Sequence, residues 1–285
     1  MHWSVEVSER ENMKLHSNPW LRTAYARLWV RAKSIYGEPL WVAINIGFPF
    51  FTSFSFTMVY RAYGLGSYAG FAILGGVMIS FWGNVLWSMA SQFNWDKQVG
   101  LFEIYISSPA SISAILVGMS LGGILGTAPS AALVALLGWT IFHPTVNPVW
   151  PAVISVFALT LASLYALGMA LSSLYLAYGR EADSVNEALH EPVSLISGVY
   201  FPSTGGFSPF PLAVQAGASL IPLTLGMDAL RRTLFFGQGF GEFTIDLELV
   251  ALAIMGIVLL FASSKALKFL EDKGRRTGTI AVRQR

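Results

Sequence analysis

Cysteine is absent from this chain of 285 residues. Its absence excludes disulfide bonds, thiolate catalysis, iron–sulfur clusters and Cys-ligated zinc together. Histidine occurs four times, at positions too scattered to give the spacing of a metal-ligand pair. We therefore expect the chain to hold no cofactor or metal of its own.

Charged residues are also scarce, at 12% of the chain against 54% hydrophobic residues. Soluble domains carry about 25% charged residues. An α-helix needs about 20 apolar residues to cross a bilayer, and the charge-free stretches of this chain are long enough to supply them. The sequence thus predicts an integral membrane protein, and its net charge of +2 gives no basis for nucleic-acid binding. The stretches without Asp, Glu, Lys or Arg are 39–60, 62–95, 104–179, 192–227 and 249–264.

These stretches predict an all-α fold with six transmembrane helices. The third is expected to bend or end near Pro129, since the apolar run continues too far for one upright helix. The fifth is the least apolar, so it must either begin upstream, among Asp183, Glu187 and His190, or fail to cross the membrane. The predicted spans are 39–60, 67–91, 111–136, 150–177, a fifth ending near Phe201, and 245–269.

The distribution of Lys and Arg predicts the orientation. Of the 18 basic residues, only Arg61, Arg231 and Arg232 fall on one side of the six-span layout. The side richer in basic residues is cytoplasmic, so we expect a multi-pass protein of the plasma membrane with both termini in the cytoplasm. Arg231 and Arg232 would then lie outside, near lipid headgroups or a substrate. The predicted regions are a cytoplasmic N-terminus with an interfacial helix at 1–38, a transmembrane domain at 39–269 with a cytoplasmic loop at 92–110 and an outer region at 202–244, and a basic cytoplasmic tail at 270–285.

The segment before the first span has the pattern of an amphipathic helix. Trp20, Tyr25 and Trp29 recur at helical spacing, whereas Arg27 and Arg31 fall mostly on the other side. Tryptophan and tyrosine suit the depth of the lipid headgroups. We therefore expect this helix to lie in the inner membrane interface.

Small and polar side chains mark faces of the spans that are not suited to lipid. Gly118, Gly122 and Gly126 repeat every fourth residue in the third span, which lets two helix backbones approach closely. The neighbour is either a helix of the same bundle or a second copy of the chain. Polar side chains in other spans are expected to face protein or a wet path. The candidates for a substrate path are Asn45, Ser53, Asn84, Ser88 and Ser197.

Two absences bear on how transport would be powered. The interiors of the clear spans contain no ionisable group of the kind that proton-coupled carriers use, although backbone and hydroxyl groups would suffice for sodium. The chain also lacks the Gly-x-x-x-x-Gly-Lys-Ser/Thr phosphate loop. Energy for active transport would then come from a separate polypeptide on the cytoplasmic face, which would bind ATP and Mg²⁺.

The loop at 92–110 has the composition of a docking site for such a partner. It mixes charged residues with large apolar ones, and Pro109 separates it from the third span. A short helix there would present Phe102 and Tyr105 at i,i+3, which suits insertion into a groove of a soluble partner. The candidate coupling residues are Asp96, Lys97, Gly100, Leu101, Phe102 and Glu103.

This loop resembles the coupling loop of type-2 ABC transporter permeases. In that family a charged residue, Gly, a hydrophobe and Glu precede an apolar stretch and Ser/Thr-Pro, as they do at 97–110. Two further runs are similar to family segments and follow in family order. They are Pro192 with Ser-Gly-Val-Tyr-Phe-Pro at 197–202, and Ile-Pro-Leu-Thr at 221–224 with Asp-Ala-Leu-Arg-Arg at 228–232.

The resemblance implies six spans with an interfacial helix before the first. It also implies short re-entrant helices before the last span, where Pro209, Pro211 and Pro222 interrupt residues 203–225. In the family, two permease chains work with two ATPase chains, so the expected partners are an ABC ATPase subunit, a second copy of this chain, and membrane lipid. The implied activity is export by a permease without enzymatic activity of its own, and family substrates range over drugs, lipids, polysaccharides and ions. The absence of charge from the span interiors favours a hydrophobic or amphipathic substrate.

Two alternatives come from other classes of membrane protein. One is an ion-coupled carrier or channel. The other is a rhomboid-like serine protease, because Gly-Met-Ser-Leu-Gly at 118–122 matches Gly-x-Ser-x-Gly. That motif lies in the middle of an apolar helix, and the sixth span has no histidine to pair with Ser120. The pair Glu187 and His190 matches half of a di-iron motif but lacks the second copy that such a site needs.

Overall fold

The computed structural model of the protein describes residues 18–37, 39–101, 104–105, 111–178, 182–203, 208 and 210–277. Within these ranges the chain is helical and has no β-strand, which confirms the predicted all-α class. A π-helical segment, Asn84–Ala90, directly continues the α-helix Ala69–Gly83. The helices are α1 (Pro19–Ile35), α2 (Pro39–Ala62), α3 (Ala69–Gly83), α4 (Gln92–Gln98), α5 (Ile112–Phe142), α6 (Trp150–Tyr178), α7 (Ala182–Ile196), α8 (Leu212–Ala218), α9 (Pro222–Phe235) and α10 (Phe243–Thr277).

Five helical stretches of the described residues are long and apolar enough to cross a membrane. They match five of the predicted spans to within two residues, except that the second ends at Gln98 and the third at Phe142, seven and six residues beyond the predicted ends. A sixth crossing is reached only if the bent pair α8 and α9 is counted as one span. The five stretches are Pro39–Ala62, Ala69–Gln98, Ile112–Phe142, Trp150–Tyr175 and Phe243–Phe269.

The helix in the place of the predicted fifth span is short. It begins at Ala182, and its 15 residues rise about 22 Å, less than the roughly 30 Å of a bilayer core. It nevertheless follows α3 over much of its length. Asn186 near its start donates to Ser91, and Gly75 packs under the carbonyl of Val199 beyond its end.

The third spanning stretch continues through Pro129 and ends at Phe142, six residues beyond the predicted boundary. An end of the helix near Pro129 is therefore wrong. Proline removes one backbone donor, but a membrane helix tolerates this when neighbouring groups satisfy the freed carbonyl. The helix ends instead at His143, which adopts a left-handed conformation with φ 47° and is followed by Pro144.

Helices α8 and α9 meet at an angle of 101°. They lie in the region where prolines were predicted to interrupt the chain before the last span. Pro222 occupies the first turn of α9, where a missing N–H costs no hydrogen bond. The sharp bend therefore lies in the region where the sequence predicted interrupted helices.

The core is built around α3 and its π-helical continuation. Of the residues in its apolar 18-residue segment, 83% are buried. The buried share of the corresponding segment is 17% in α2 and 17% in α10. Trp82, Met78 and Leu86 are among the largest fully buried side chains. The apolar residues of α2 and α10 instead face outwards, as expected of helices that meet lipid or a second membrane protein.

Candidate functional site: a cleft joined to helix α4

A cleft of about 800 Å³ opens between α1, α2, α3, α4, α5 and α7. Its volume lies within the roughly 300–1,000 Å³ of small-molecule sites. Three tryptophans from three different elements line it, together with ten polar side chains. They are Trp41, Trp87 and Trp95, and the polar groups include Asn45, Asn84, Gln92 and Arg31.

Three of the five residues predicted for a substrate path line this cleft: Asn45, Asn84 and Ser88. The other two lie elsewhere. Ser53 is buried against Gly76, and its hydroxyl donates to the carbonyl of Pro49 at 2.8 Å. Its role is therefore in the contact between α2 and α3.

Ser197 is also remote from the cleft. It is fully buried, and Thr224 Oγ1 lies 3.1 Å from its hydroxyl. This contact joins the turn after α7 to the first turn of α9. The residue thus holds the bent helix pair in place instead of facing open space.

The π-helical segment supplies three of the cleft's side chains, including Trp87. Asn84 begins it and is held on both sides: its Oδ1 accepts from Tyr165 Oη at 2.8 Å, and its Nδ2 donates to Ser88 Oγ at 3.1 Å. Gly123 leaves the space that Asn84 fills, since a Cβ there would lie 2.5 Å from Asn84 Oδ1. A π-helix widens the turn and often occurs at functional sites.

Among the described residues that line the cleft, Arg31 alone carries a formal charge. Its Nη1 donates to Gln92 Oε1 at 3.2 Å, and it forms no ion pair within the described part of the chain. Burial and, to a smaller extent, the nearby charge of Arg27 together lower the pKa of Arg31 to about 10. The side chain still remains protonated at neutral pH.

Hydrogen bonds continue from Arg31 into α4. Gln92 Nε2 donates to Asp96 Oδ1 at 2.7 Å, and Arg27 Nη2 lies 3.0 Å from Asp96 Oδ2 in an ion pair. Tyr105 Oη also donates to Asp96 Oδ2, at 3.0 Å. We call Arg31, Gln92, Asp96 and Arg27 the polar relay. It joins the mouth of the cleft to the segment predicted to couple transport to an ATPase.

Asp96 therefore lies inside the protein. Only 3% of the residue is exposed, and its carboxylate oxygens accept from three side chains of the fold. Lys97 is half-buried, and Leu101 is 43% exposed. Gly100 has φ 82° and open space around it. Phe102 and Glu103 lie outside the described residues.

Helix α1 packs closely against three glycines of α5. A Cβ at Gly118 would overlap the carbonyl oxygen of Ala24, and one at Gly122 would lie 2.6 Å from the carbonyl oxygen of Leu28. A Cβ at Gly126 would overlap the side chain of Ile35. The stripe thus faces a helix of the same chain, and the close approach directs Arg27 and Arg31 towards α4.

Arg231 and Arg232 differ in their surroundings. Arg231 is 2% exposed, donates to the carbonyl of Gly198, and lies over the ring of Phe71 at 5.2 Å. Its guanidinium is thus held inside the protein, not at a headgroup-facing surface. Arg232 pairs with Asp228 at 3.0 Å and with Glu248 at 3.6 Å.

The structure does not bring a catalytic pair together at Ser120. This serine is buried in α5, and its hydroxyl bonds to the Leu116 carbonyl at 2.9 Å and to Met89 Sδ at 3.5 Å. Neither partner is a base that could activate a nucleophile. Across the described residues, no group of three His, Asp or Glu side chains is placed to hold a metal ion.

Sequence reasoning missed Arg31 and Gln92 as members of the site. It placed the α1 arginines on a polar face directed away from the apolar side of the helix. A signal was present, because Arg27 and Arg31 are like charges at i,i+4, a destabilising spacing unless a counter-charge lies nearby. Asp96 is that counter-charge, but it is 69 residues from Arg27 and only the folded chain identifies it.

No protein-family model and no curated protein matches this chain.

Proposed function

We propose that this chain is the membrane-spanning permease subunit of an ATP-binding-cassette exporter. It moves a hydrophobic or amphipathic substrate outwards from the cytoplasmic side of the plasma membrane. A separate ATPase subunit docks on α4 and the residues that follow it. The chain has no ATP-hydrolysing activity of its own and works with a second copy of itself.

The polar relay carries this proposal. A coupled transporter needs a physical connection between the site where force arrives and the site where cargo lies. Here Gln92 and Asp96 of α4 bond directly to Arg31 and Arg27 of α1, and Arg31 lines the cleft. A displacement of α4 would therefore alter the cleft without any intervening flexible segment.

The residues beside the relay support docking of a soluble partner. Trp95, Val99 and Leu101 are 53%, 65% and 43% exposed, and they project from the segment that resembles a coupling helix. An exposed cluster of large apolar side chains next to charged ones is typical of a helix that inserts into a groove. Asp96 and its partners fix the position of this surface, while the apolar side chains make the contact.

The outward face of α1 supports a position in the membrane interface. Leu21, Tyr25 and Trp29 are exposed, and Trp20, also exposed, donates its Nε1 hydrogen to Ser113 Oγ of α5 at 3.2 Å. Trp29 Nε1 donates to Tyr25 Oη at 2.7 Å, so the polar atoms of these rings are partly satisfied. Aromatic rings of this kind favour the headgroup level. In this position α1 would place the mouth of the cleft at the inner leaflet.

The test is purification of the tagged protein from its native membrane in a mild detergent. We expect an ATP-binding subunit to co-purify, and the complex to hydrolyse ATP in a vanadate-sensitive manner. The absence of any ATPase under several gentle conditions would contradict the proposal.

An ion-coupled carrier is the second candidate, favoured by one cluster on α7. Glu191 Oε2 accepts from Tyr200 Oη at 2.9 Å, and Glu191 Oε1 lies 3.3 Å from His190 Nδ1. The Nε1 of Trp82, in the buried α3, donates to the carbonyl of His190 at 3.3 Å. The Glu191 side chain is 61% exposed, so a carboxylate beside a histidine is accessible here, and such ionisable pairs occur in proton pathways. Transport by the purified chain alone, driven by a proton gradient and lost in Glu191→Gln, would favour this candidate over the exporter.

A further inference from the structure

We infer that the cleft binds an anionic amphiphile, with a phosphate-bearing head at Arg31 and an alkyl chain in the remainder. The inference rests on the proposed function in one respect, namely that the cleft is the cargo site of the permease. It goes further by naming the chemical class of the cargo.

The charge of the cleft is positive and not compensated within it. Asp96 is the nearby carboxylate, and it already accepts hydrogen bonds from Arg27, Gln92 and Tyr105. Arg27 and Asp96 cancel one another, which leaves the charge of Arg31. A partly buried cation without a counter-charge is costly, and an anionic ligand would reduce that cost. Phosphate suits a guanidinium best, because the two can form parallel hydrogen bonds.

The cleft is also elongated and carries its formal charge at one end. Its wall runs along one side from Ile79 to Trp95, a rise of about 24 Å for helical residues. Arg31 lies at the α4 end through its bond to Gln92. Pro49 lies at the opposite end, where its carbonyl packs against Gly76. A head with a long apolar tail fits this arrangement better than a compact polar solute does.

The side walls agree with such a ligand. Trp41, Phe48 and Trp87 present aromatic surface along the cleft. Polar side chains lie between them, but Asn84 and Ser80 already bond within the fold, to Tyr165 and to the carbonyl of Gly76. Aromatic rings cover alkyl chains, and tryptophan also favours the boundary between headgroup and chain. The polar relay then connects the phosphate position to α4, so that a bound head and the proposed coupling segment share one set of hydrogen bonds.

The test measures retained lipid by native mass spectrometry on the full chain. The protein is purified and incubated with an equimolar mixture of phosphatidic acid and phosphatidylcholine that carry identical acyl chains. We expect phosphatidic acid to be retained preferentially. Arg31→Gln should reduce this preference about tenfold, because a hydrogen bond to a charged group is lost. Arg31→Lys should keep most of it, since the charge remains.

Two further variants separate the head from the tail. Lys33→Gln removes a charge of the same sign from an exposed position two residues away, and it should leave the preference unchanged. Gly83→Leu fills the cleft where a Cβ meets nothing within 4 Å, so it should reduce retention of both lipids. Inorganic phosphate at the same concentration should not displace phosphatidic acid, because phosphate alone lacks the tail.

The outcomes separate this inference from the proposed function. Equal retention of the two lipids, no effect of Arg31→Gln in a protein of unchanged thermal stability, or full displacement by inorganic phosphate would overturn the inference. An ATPase partner could still be found in each of those cases, and the permease assignment would stand alone. Arg31-dependent retention without any ATPase partner would support the anionic site and remove the permease assignment.

Discussion

Arg27 of α1 and Asp96 of α4 form an ion pair at 3.0 Å that joins the N-terminal helix to the candidate coupling segment. Asp96 also accepts from Gln92 and Tyr105, so three side chains bond to one buried carboxylate. The pair fixes the position of α4 relative to the cleft. It also explains why a charged residue in an otherwise apolar region can be buried.

The first prediction concerns the strength of this pair. Asp96→Asn should destabilise the protein by about 3 kcal/mol, the lower end of the range for breaking a buried ion pair, since Arg27 is partly exposed. Thermal unfolding in detergent measures the loss. In a double-mutant cycle with Arg27→Gln, the coupling energy should be about 1–3 kcal/mol. Strictly additive effects of the two substitutions would show that the pair does not act as a unit.

The second prediction concerns the close packing of α1 against the glycines of α5. Gly122→Ala places a Cβ 2.6 Å from the Leu28 carbonyl oxygen, and backbone cannot move aside as easily as a flexible side chain can. We expect a loss of about 1–3 kcal/mol from overpacking. Gly217→Ala, in helix α8, is the matched control, because no other group lies within 4 Å of the added Cβ. Equal thermal stability of both variants would contradict the packing shown for α1.

The spans follow from the sequence because their cause is local in the chain. A charge-free apolar stretch of sufficient length forms a helix in lipid wherever its neighbours lie. The boundaries at Pro39 and Trp150 agree with the sequence for that reason. The end near Pro129 was wrong because a proline kinks or breaks a helix depending on the groups that surround it, and those come from other helices.

The site was only partly predictable. Asn84 and Ser88 stood out because polar side chains in an apolar span need a polar neighbour. Arg31 did not, because its place in the cleft depends on how closely α1 approaches Gly122, and that approach joins segments about 90 residues apart. The π-helical turn has no reliable sequence signal either, although it sets the direction of Trp87.

The third prediction concerns orientation in the membrane. The chain contains no cysteine, so a single introduced thiol is the only reactive one. Val99→Cys and Tyr63→Cys lie at positions 65% and 80% exposed, on opposite sides in the predicted topology. A membrane-impermeant maleimide should label Tyr63→Cys in intact cells, and Val99→Cys only after permeabilisation. The reverse pattern would place both termini outside.

The fourth prediction concerns the turn after α4. Gly100 has φ 82° with open space around it, so Gly100→Ala is strained by roughly 1–2 kcal/mol without any clash. We expect the variant to keep its ATPase partner but to lose coupling of ATP hydrolysis to transport in proteoliposomes. Gly64→Ala has the same backbone strain, with φ 74° and open space, on the opposite side of the predicted topology. Equal loss of transport in both variants would point to strain in general and not to the coupling segment.

The central claim, that an ATPase docks beside the polar relay, is tested most directly by site-specific photocrosslinking in cells. A benzophenone amino acid replaces Leu101, which is 43% exposed, and in a parallel strain replaces Leu65, which is 45% exposed and predicted to lie on the outer side. Crosslinked partners are identified by mass spectrometry. The account predicts that an ATP-binding protein is captured at position 101 and not at position 65. Capture of no ATP-binding protein at 101, or of the same one at both positions, would contradict it.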